Sequence, residues 1–308
     1  MANIVRIGIL AALWGSTFLW IKVALRGFSA TQVTFGRMII GAAFLWLVVW
    51  LIKRKRLQAR SVPWRHLIVS AALANAIPYL LFALGEEGID SSAAGVTNST
   101  TPIWTMLVAL LVGDRRGHTR RRASGLVLGF LGCVLIFSPW HTGTDIMSWG
   151  GLECLIGSAF LAVSYIYMAK YLTNRGIPPL MLAAYQLSAA GLLLAPVLLV
   201  DGVPTLTAHP DALAALAILG LFGTGIAYIL NFRIIADDGS VAASVVTYLL
   251  PVVSIILGAV VLQEHVTATM LIGVGVVLVA VALTQNWRAS SANSELVDTE
   301  DEQCARVR

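Results

Sequence analysis

Long apolar runs separated by short polar connections make up nearly the whole chain. Ten such runs lie near 4–24, 32–52, 66–85, 91–112, 122–139, 149–170, 179–200, 211–232, 240–262 and 267–287. A helix needs roughly 20 mostly apolar residues to cross the hydrocarbon core of a bilayer, and each run meets that length. Strand alternation is absent, and the runs are too long and too evenly apolar for barrel strands. In lipid the backbone must satisfy its own hydrogen bonds, so helices remain. The pattern predicts an all-α integral membrane protein with ten spans. The first run has no small-residue cleavage site before the second span, so it reads as a retained helix rather than a signal peptide.

Two of the runs share an unusual internal order. DSSAAGVTNSTTPIWTMLVALLVGD (90–114) and GSVAASVVTYLLPVVSIILGAVVLQ (239–263) both pass from small and polar residues through a proline into an apolar stretch. At a shift of 149, Ser91, Ala93, Ala94, Val96 and Pro102 fall on Ser240, Ala242, Ala243, Val245 and Pro251. The correspondence continues outside these segments. Lys22 falls on Lys170 at 148, Arg37 on Gln186 and Tyr79 on Tyr228 at 149, and Gly125 and Gly132 on Gly273 and Ala280 at 148. This predicts an internal duplication of residues 1–143 and 144–288, followed by a polar, acidic tail at 289–308 expected to be disordered and cytoplasmic. Five helices per half is an odd number, so the second half enters the membrane upside down. Inverted repeats place a shared site near the membrane midplane between the halves.

Composition agrees with this reading. The chain is 58% hydrophobic and 12% charged, against about 25% charge in a soluble domain. Net charge is +5, but its placement says more. With ten alternating spans, 18 of the 21 Lys and Arg residues fall on one side, clustered at 53–65 and 115–122. The positive-inside rule then puts both termini in the cytoplasm and the protein in the cell membrane. These clusters flank apolar spans and carry no stacking aromatics, so a nucleic-acid partner is not expected. The cysteines (Cys133, Cys154, Cys304) and the five histidines show no disulfide or metal spacing. No metal or other cofactor is expected. The expected partners are a small-molecule substrate and the lipid bilayer, with the chain a monomer or homodimer.

WGSTFLWIKVAL near the start, FGR opening the second helix, GLVLGFLGCVLI in the fifth, and the small-residue-then-proline order of the fourth and ninth resemble the EamA-type exporters of the drug/metabolite transporter superfamily. The resemblance covers about residues 4–287. It implies export of small metabolites, often amino acids or related compounds, by alternating access, without identifying the substrate. One departure is Asp114, where many members have glutamate after the fourth helix; the ninth ends with the more usual Glu264.

Candidate site residues follow from polarity inside apolar spans. Pro102 and Pro251 each remove a backbone donor and are read either as gating hinges or as fixed kinks. Asn98, one turn before Pro102, needs partners in an apolar span, from substrate or from a neighbouring helix. Trp14 and Trp104 lie too deep for an interfacial aromatic belt, and Thr17 shares a helix face with Trp14. Tyr79, Tyr165, Gln186 and Tyr248 complete a candidate polar and aromatic substrate lining. Lys22 and Arg37 are charges within spans, which point to function by default; each also has outer carboxylates, among them Glu86, as candidate ion-pair partners. No carboxylate is placed deep in the apolar core, which favours facilitated export or exchange over a buried proton relay.

The leading reading is therefore a cytoplasmic-membrane exporter of small organic metabolites, amino acids first and aromatic ones among them. The alternatives are an exporter of nucleosides, amines or drug-like cations, or a membrane sensor that does not transport. An intramembrane enzyme would need embedded histidines, HExxH or GxSxG, and the spans carry none of these.

Overall fold

In the computed structural model the apolar runs are helices. Residues 2–51, 62–89, 91–113, 120–137, 148–173, 175–201, 210–261 and 267–284 are described. The acidic tail, most of the first basic cluster, the start of the second, Asp114, Glu264, Trp140 and Trp287 lie outside them. Six helices are long and apolar enough to cross a membrane: α1 (Val5–Ala24), α2 (Ala30–Leu51), α3 (Trp64–Gly88), α6 (Trp149–Tyr171), α7 (Pro179–Val200) and α8 (Pro210–Asp238). Shorter apolar helices supply the other four spans. These are α4 (Ser91–Asn98 continuing as Thr101–Leu111), α5 (Ala123–Ile136), α9 (Ser240–Val245 continuing to Leu250–Val261) and α10 (Ala268–Thr284). No strand occurs among the described residues. The chain is an all-α, ten-helix membrane protein of two inverted five-helix repeats.

The helices are apolar on nearly all sides because they face either lipid or one another. Trp50, Trp64, Leu192 and Leu199 are exposed, whereas Leu10, Met38, Leu45 and Leu187 are fully buried. One core joins α1, α2, α3, α6, α7 and α8. A second cluster brings Ile21 and Phe28 against Leu216 and Leu219 of α8. A third joins α5, α9 and α10 around Leu126, Tyr248 and Val277.

The duplication is visible in contacts that occur twice. Gly125 lies against Ala280 and Gly132 against Gly273 where α5 meets α10. The repeat carries Gly125 to Gly273 and Gly132 to Ala280, so these are one contact seen from both halves. Residues Ala72–Ala76 of α3 and Leu219–Ile226 of α8 are π-helical, and their positions correspond at the same shift of 149. Such wide turns are uncommon and cluster at functional sites. Here each supplies a polar side chain to the opposite half. Arg37 Nε donates to Thr224 Oγ1 at 3.0 Å, and Gln186 Nε2 donates to Asn75 Oδ1 at 2.7 Å. Arg37 maps onto Gln186 and Asn75 onto Thr224, so these two hydrogen bonds are also repeat mates. Tyr79 and its own mate Tyr228 meet hydroxyl to hydroxyl at 3.3 Å. A residue can touch its repeat mate only near the pseudo-twofold axis, so the axis passes between these tyrosines.

Both proline helices break at the equivalent place. In α4 the helix interrupts after Asn98 and resumes at Thr101. In α9 a 3-10 turn spans Val246–Leu249 before the helix resumes at Leu250. A proline cannot donate to the carbonyl four residues earlier. The carbonyls that lose their helical donor are those of Asn98 and Thr247, themselves repeat mates.

Candidate functional site

A cavity of about 50 Å³ lies beside the Tyr79–Tyr228 contact. It is smaller than a typical small-molecule site, so a metabolite fits only once the halves move apart. α1 contributes Trp14, Thr17 and Phe18, α2 contributes Arg37, and α3 contributes Tyr79 and Phe82. From the other side come Tyr165 of α6, Tyr228 and Asn231 of α8, and Thr247 of α9, with Asn98 of α4 between them. Four pairs of repeat mates thus face the same space: Thr17 with Tyr165, Tyr79 with Tyr228, Phe82 with Asn231, and Asn98 with Thr247. Neither half builds the site alone.

Aromatic rings frame the cavity. Trp14 meets Tyr228 edge-on with centroids 6.3 Å apart, and Phe18 meets Phe82 at 6.1 Å. The Tyr228 hydroxyl donates to the Ala74 carbonyl at 2.8 Å, within the π-helical turn of α3, which fixes the ring on the axis. Arg37 is 3% exposed, and its guanidinium carbon sits 4.1 Å from the centroid of the Tyr79 ring. A cation over a ring face in a dry site is held by the ring quadrupole. Together with the Thr224 hydrogen bond, this aims a fixed positive charge at the cavity. No carboxylate is among the described residues lining it.

Five of the residues proposed from sequence as substrate-binding line this cavity: Trp14, Thr17, Tyr79, Asn98 and Tyr165; the pathway charge Arg37 joins them. Three lie elsewhere. Trp104 is half-buried, and its Nε1–H donates to Thr100 Oγ1 at 3.1 Å on its own helix. Gln186 is enclosed in a polar cluster, bonded to Asn75 and accepting from Ser70 Oγ at 3.1 Å. The Tyr248 hydroxyl donates to the Leu126 carbonyl at 2.6 Å, and its ring fills the space beside Gly129. Pro102 and Pro251 are buried and not among the lining residues, each one position from a helix restart. The lining proposed from sequence does not include Phe82, Tyr228, Asn231 or Thr247. For Tyr228 and Thr247 the duplication held the signal, since their mates Tyr79 and Asn98 are proposed from sequence; Phe82 and Asn231 are mates of each other.

Lys22 is anchored on backbone oxygens. Its ammonium donates to two backbone carbonyls at the end of α3, Glu86 at 2.8 Å and Ile89 at 3.1 Å. It thereby ties the end of α1 to α3. Glu86, expected on the outer side, has its side chain fully buried in the helix packing. At the opposite end of α1, Arg6 forms an ion pair with Asp237 of α8.

Comparisons with known proteins agree with this architecture. Residues 4–138 and 149–285 each match the EamA-like transporter family, and the chain belongs to that family. An uncharacterized transporter of Archaeoglobus fulgidus is 25% identical over 87% of this chain and 93% of its own length. The uncharacterized inner membrane transporter YedA of Escherichia coli K12 is 27% identical over 88% of this chain and 86% of its own. The Bacillus subtilis transporter YdfC, also uncharacterized, is 25% identical over 88% of this chain and 86% of its own. A solved crystal structure shares the fold with a TM-score of 0.74 at 15% identity, covering 92% of this chain and 96% of that one. The protein is a multi-pass membrane transporter.

Proposed function

We propose that this transporter is a secondary exporter in the cytoplasmic membrane, with both termini in the cytoplasm. It moves small organic metabolites outward, amino acids first and aromatic ones among them, by alternating access between its halves. The observation that carries this reading is the cavity on the repeat axis, walled by mates from both halves, whose described lining holds buried Arg37 and no carboxylate, the buried Glu86 acting on Arg37 from outside that lining. A site of that charge suits a ligand bearing a carboxylate and works against drug-like cations, since like charges repel strongly where water is excluded. Its rings suit a ligand with an apolar or aromatic body. Counterflow in proteoliposomes preloaded with a panel of labelled amino acids tests it. Saturable exchange confined to amino acids supports the proposal. Exchange of nucleosides or organic amines with no amino-acid exchange overturns the substrate class, and ligand binding without any flux overturns the exporter reading.

Alternation has a physical basis in the repeat. The Lys22 contact is a latch, and the repeat carries its partners Glu86 and Ile89 onto Ile235 and Asp238 at the end of α8. The mate of Lys22, Lys170, is exposed here and lies over the Tyr171 ring at 5.4 Å. The outer latch is made while Lys170 stays in solvent. Exchanging the conformations of the halves releases Lys22 and docks Lys170 on α8, with the breaks before Pro102 and Pro251 as flexing points. Hydrogen bonds to a charged group are worth about 1.5–3 kcal/mol, less where partly exposed. Lys22→Met is therefore expected to raise the outward-open population about tenfold. The readout is labelling of Thr17→Cys by an impermeant thiol reagent added outside. Unchanged labelling removes the latch from the mechanism.

A further inference from the structure

The cavity is built by repetition, so the places where mates differ show where the site has been specialised. Tyr79 and Tyr228 are alike. Phe82, however, corresponds to Asn231, Trp14 to Ala162, and Arg37 to Gln186, which lies outside the cavity. These three departures add a guanidinium, an indole N–H and an amide to the symmetric frame.

Two of these groups are unsatisfied. Trp14 Nε1 and Asn231 Oδ1 are buried without a hydrogen-bond partner, although their residues are 9% and 1% exposed. Buried polar atoms in folded proteins nearly always have partners, and exceptions call for a functional account. The atoms are opposite in sense. An indole N–H only donates and an amide oxygen only accepts. Both belong to cavity-lining residues beside one ring, Trp14 packed edge-on to Tyr228 and Asn231 one helical turn after it. Arg37, held by Thr224 and Tyr79, can donate further hydrogen bonds and cannot accept any. A ligand that completes the site must present an anionic acceptor to the donors and an N–H donor to Asn231 Oδ1.

We propose that Arg37, Trp14 Nε1 and Asn231 Oδ1 form a head-group subsite for a zwitterion, in which Asn231 distinguishes an amino acid from the corresponding simple acid. This deepens the amino-acid reading above by assigning the atoms that recognise each end of the head group. The carboxylate takes donors from Arg37 and Trp14. The ammonium donates to Asn231 Oδ1, and the side chain lies along Phe18 and Phe82. A ligand lacking the amino group leaves the amide oxygen buried and unpaired, and one lacking the carboxylate sets a cation against Arg37. Sites built to bond a polar group reject analogues that lack it far more strongly than apolar pockets reject a change in size.

The test uses matched ligands: phenylalanine, 3-phenylpropanoate and 2-phenylethylamine, with leucine and threonine and their deaminated acids as further pairs. Each is measured by counterflow and, independently of flux, by the melting shift of the purified full-length protein. Wild type is expected to favour each amino acid over its deaminated acid by about tenfold or more, and phenylalanine over the amine by at least as much. Asn231→Leu is expected to bring the amino acid and the simple acid to near parity by weakening the amino acid alone. Asn231→Ala serves where the leucine variant does not fold. Undiminished discrimination in a folded Asn231 variant, equal responses to phenylalanine and phenylethylamine, or no amino acid giving a larger shift than its acid overturns the proposal. Absent counterflow with melting shifts in the expected order leaves the subsite standing and removes the transport reading. Rapid amino-acid exchange with unaltered discrimination in the variants does the reverse.

Discussion

Arg37→Gln is expected to lower amino-acid counterflow by about 10- to 100-fold per folded protein. The size follows from losing a charge-assisted hydrogen bond of about 1.5–3 kcal/mol to the substrate carboxylate, each 1.4 kcal/mol being tenfold. The substitution installs the residue that the repeat already has at the equivalent position, Gln186, so the frame tolerates the shape. It also removes a cation that acts on the fully buried Glu86 carboxylate, and taking away one of two opposite buried charges is destabilising. The flux is therefore compared per folded protein, below the melting temperature of the variant. The melting shift that phenylalanine produces in the folded variant separates a binding residue from a structural one, because a purely structural Arg37 would leave that shift unchanged. Arg37→Lys keeps the charge but loses the planar fork held between Thr224 and the Tyr79 ring, so an intermediate flux is expected. Full flux in Arg37→Gln would falsify the assignment of the cation to the substrate and leave it as a tether between α2 and α8.

The second large effect is on folding. A Cβ placed at Gly273 would lie 2.8 Å from the Gly132 carbonyl oxygen and 2.9 Å from the Ile136 amide nitrogen. Both obstacles are backbone, so no rotamer change relieves them. Overpacking of a core typically costs about 1–3 kcal/mol and occasionally more. Gly273→Val adds two further methyl groups to a seam where α5 and α10 meet by backbone approach, the usual means by which membrane helices gain packing contacts. The expected outcome is a fall in melting temperature of the purified protein and loss of a monodisperse fraction. Gly275, two residues on, faces open space: a Cβ there would meet nothing within 4 Å. Gly275→Ala is the matched control and should melt as wild type does. Equal melting of both variants would mean that the α5–α10 seam is not held by this contact.

Much of the architecture is legible in the sequence. Ten apolar runs, an odd number per half, and a shift of 148–149 that recurs from Lys22 to Ala280 are sequence facts. They lead to inverted repeats because hydrocarbon thickness fixes helix length and helix parity fixes orientation. The site is legible only in outline. Trp14, Asn98 and Arg37 stand out because polarity or a large amphipathic ring inside a span is unusual. Trp104 and Tyr248 stand out for the same reason, yet their polar atoms are satisfied by Thr100 and by the Leu126 carbonyl. Gln186 is the sharpest case. It is the mate of a cavity residue, and the cluster with Asn75 and Ser70 nonetheless encloses it.

What the sequence by itself determined is the solvent, the helix count and the pairing of the halves, because these depend on hydrophobicity, length and repetition. Only the tertiary structure decided which polar side chains share a space and which are already partnered. Helices bounded by lipid on one side and by apolar neighbours on the other carry no strong polar face, so periodicity does not reveal which side points to the cavity. Tyr79 and Tyr228 become a contact on the axis, and Asn231 becomes an unpaired acceptor beside Trp14, only when both halves are folded against each other.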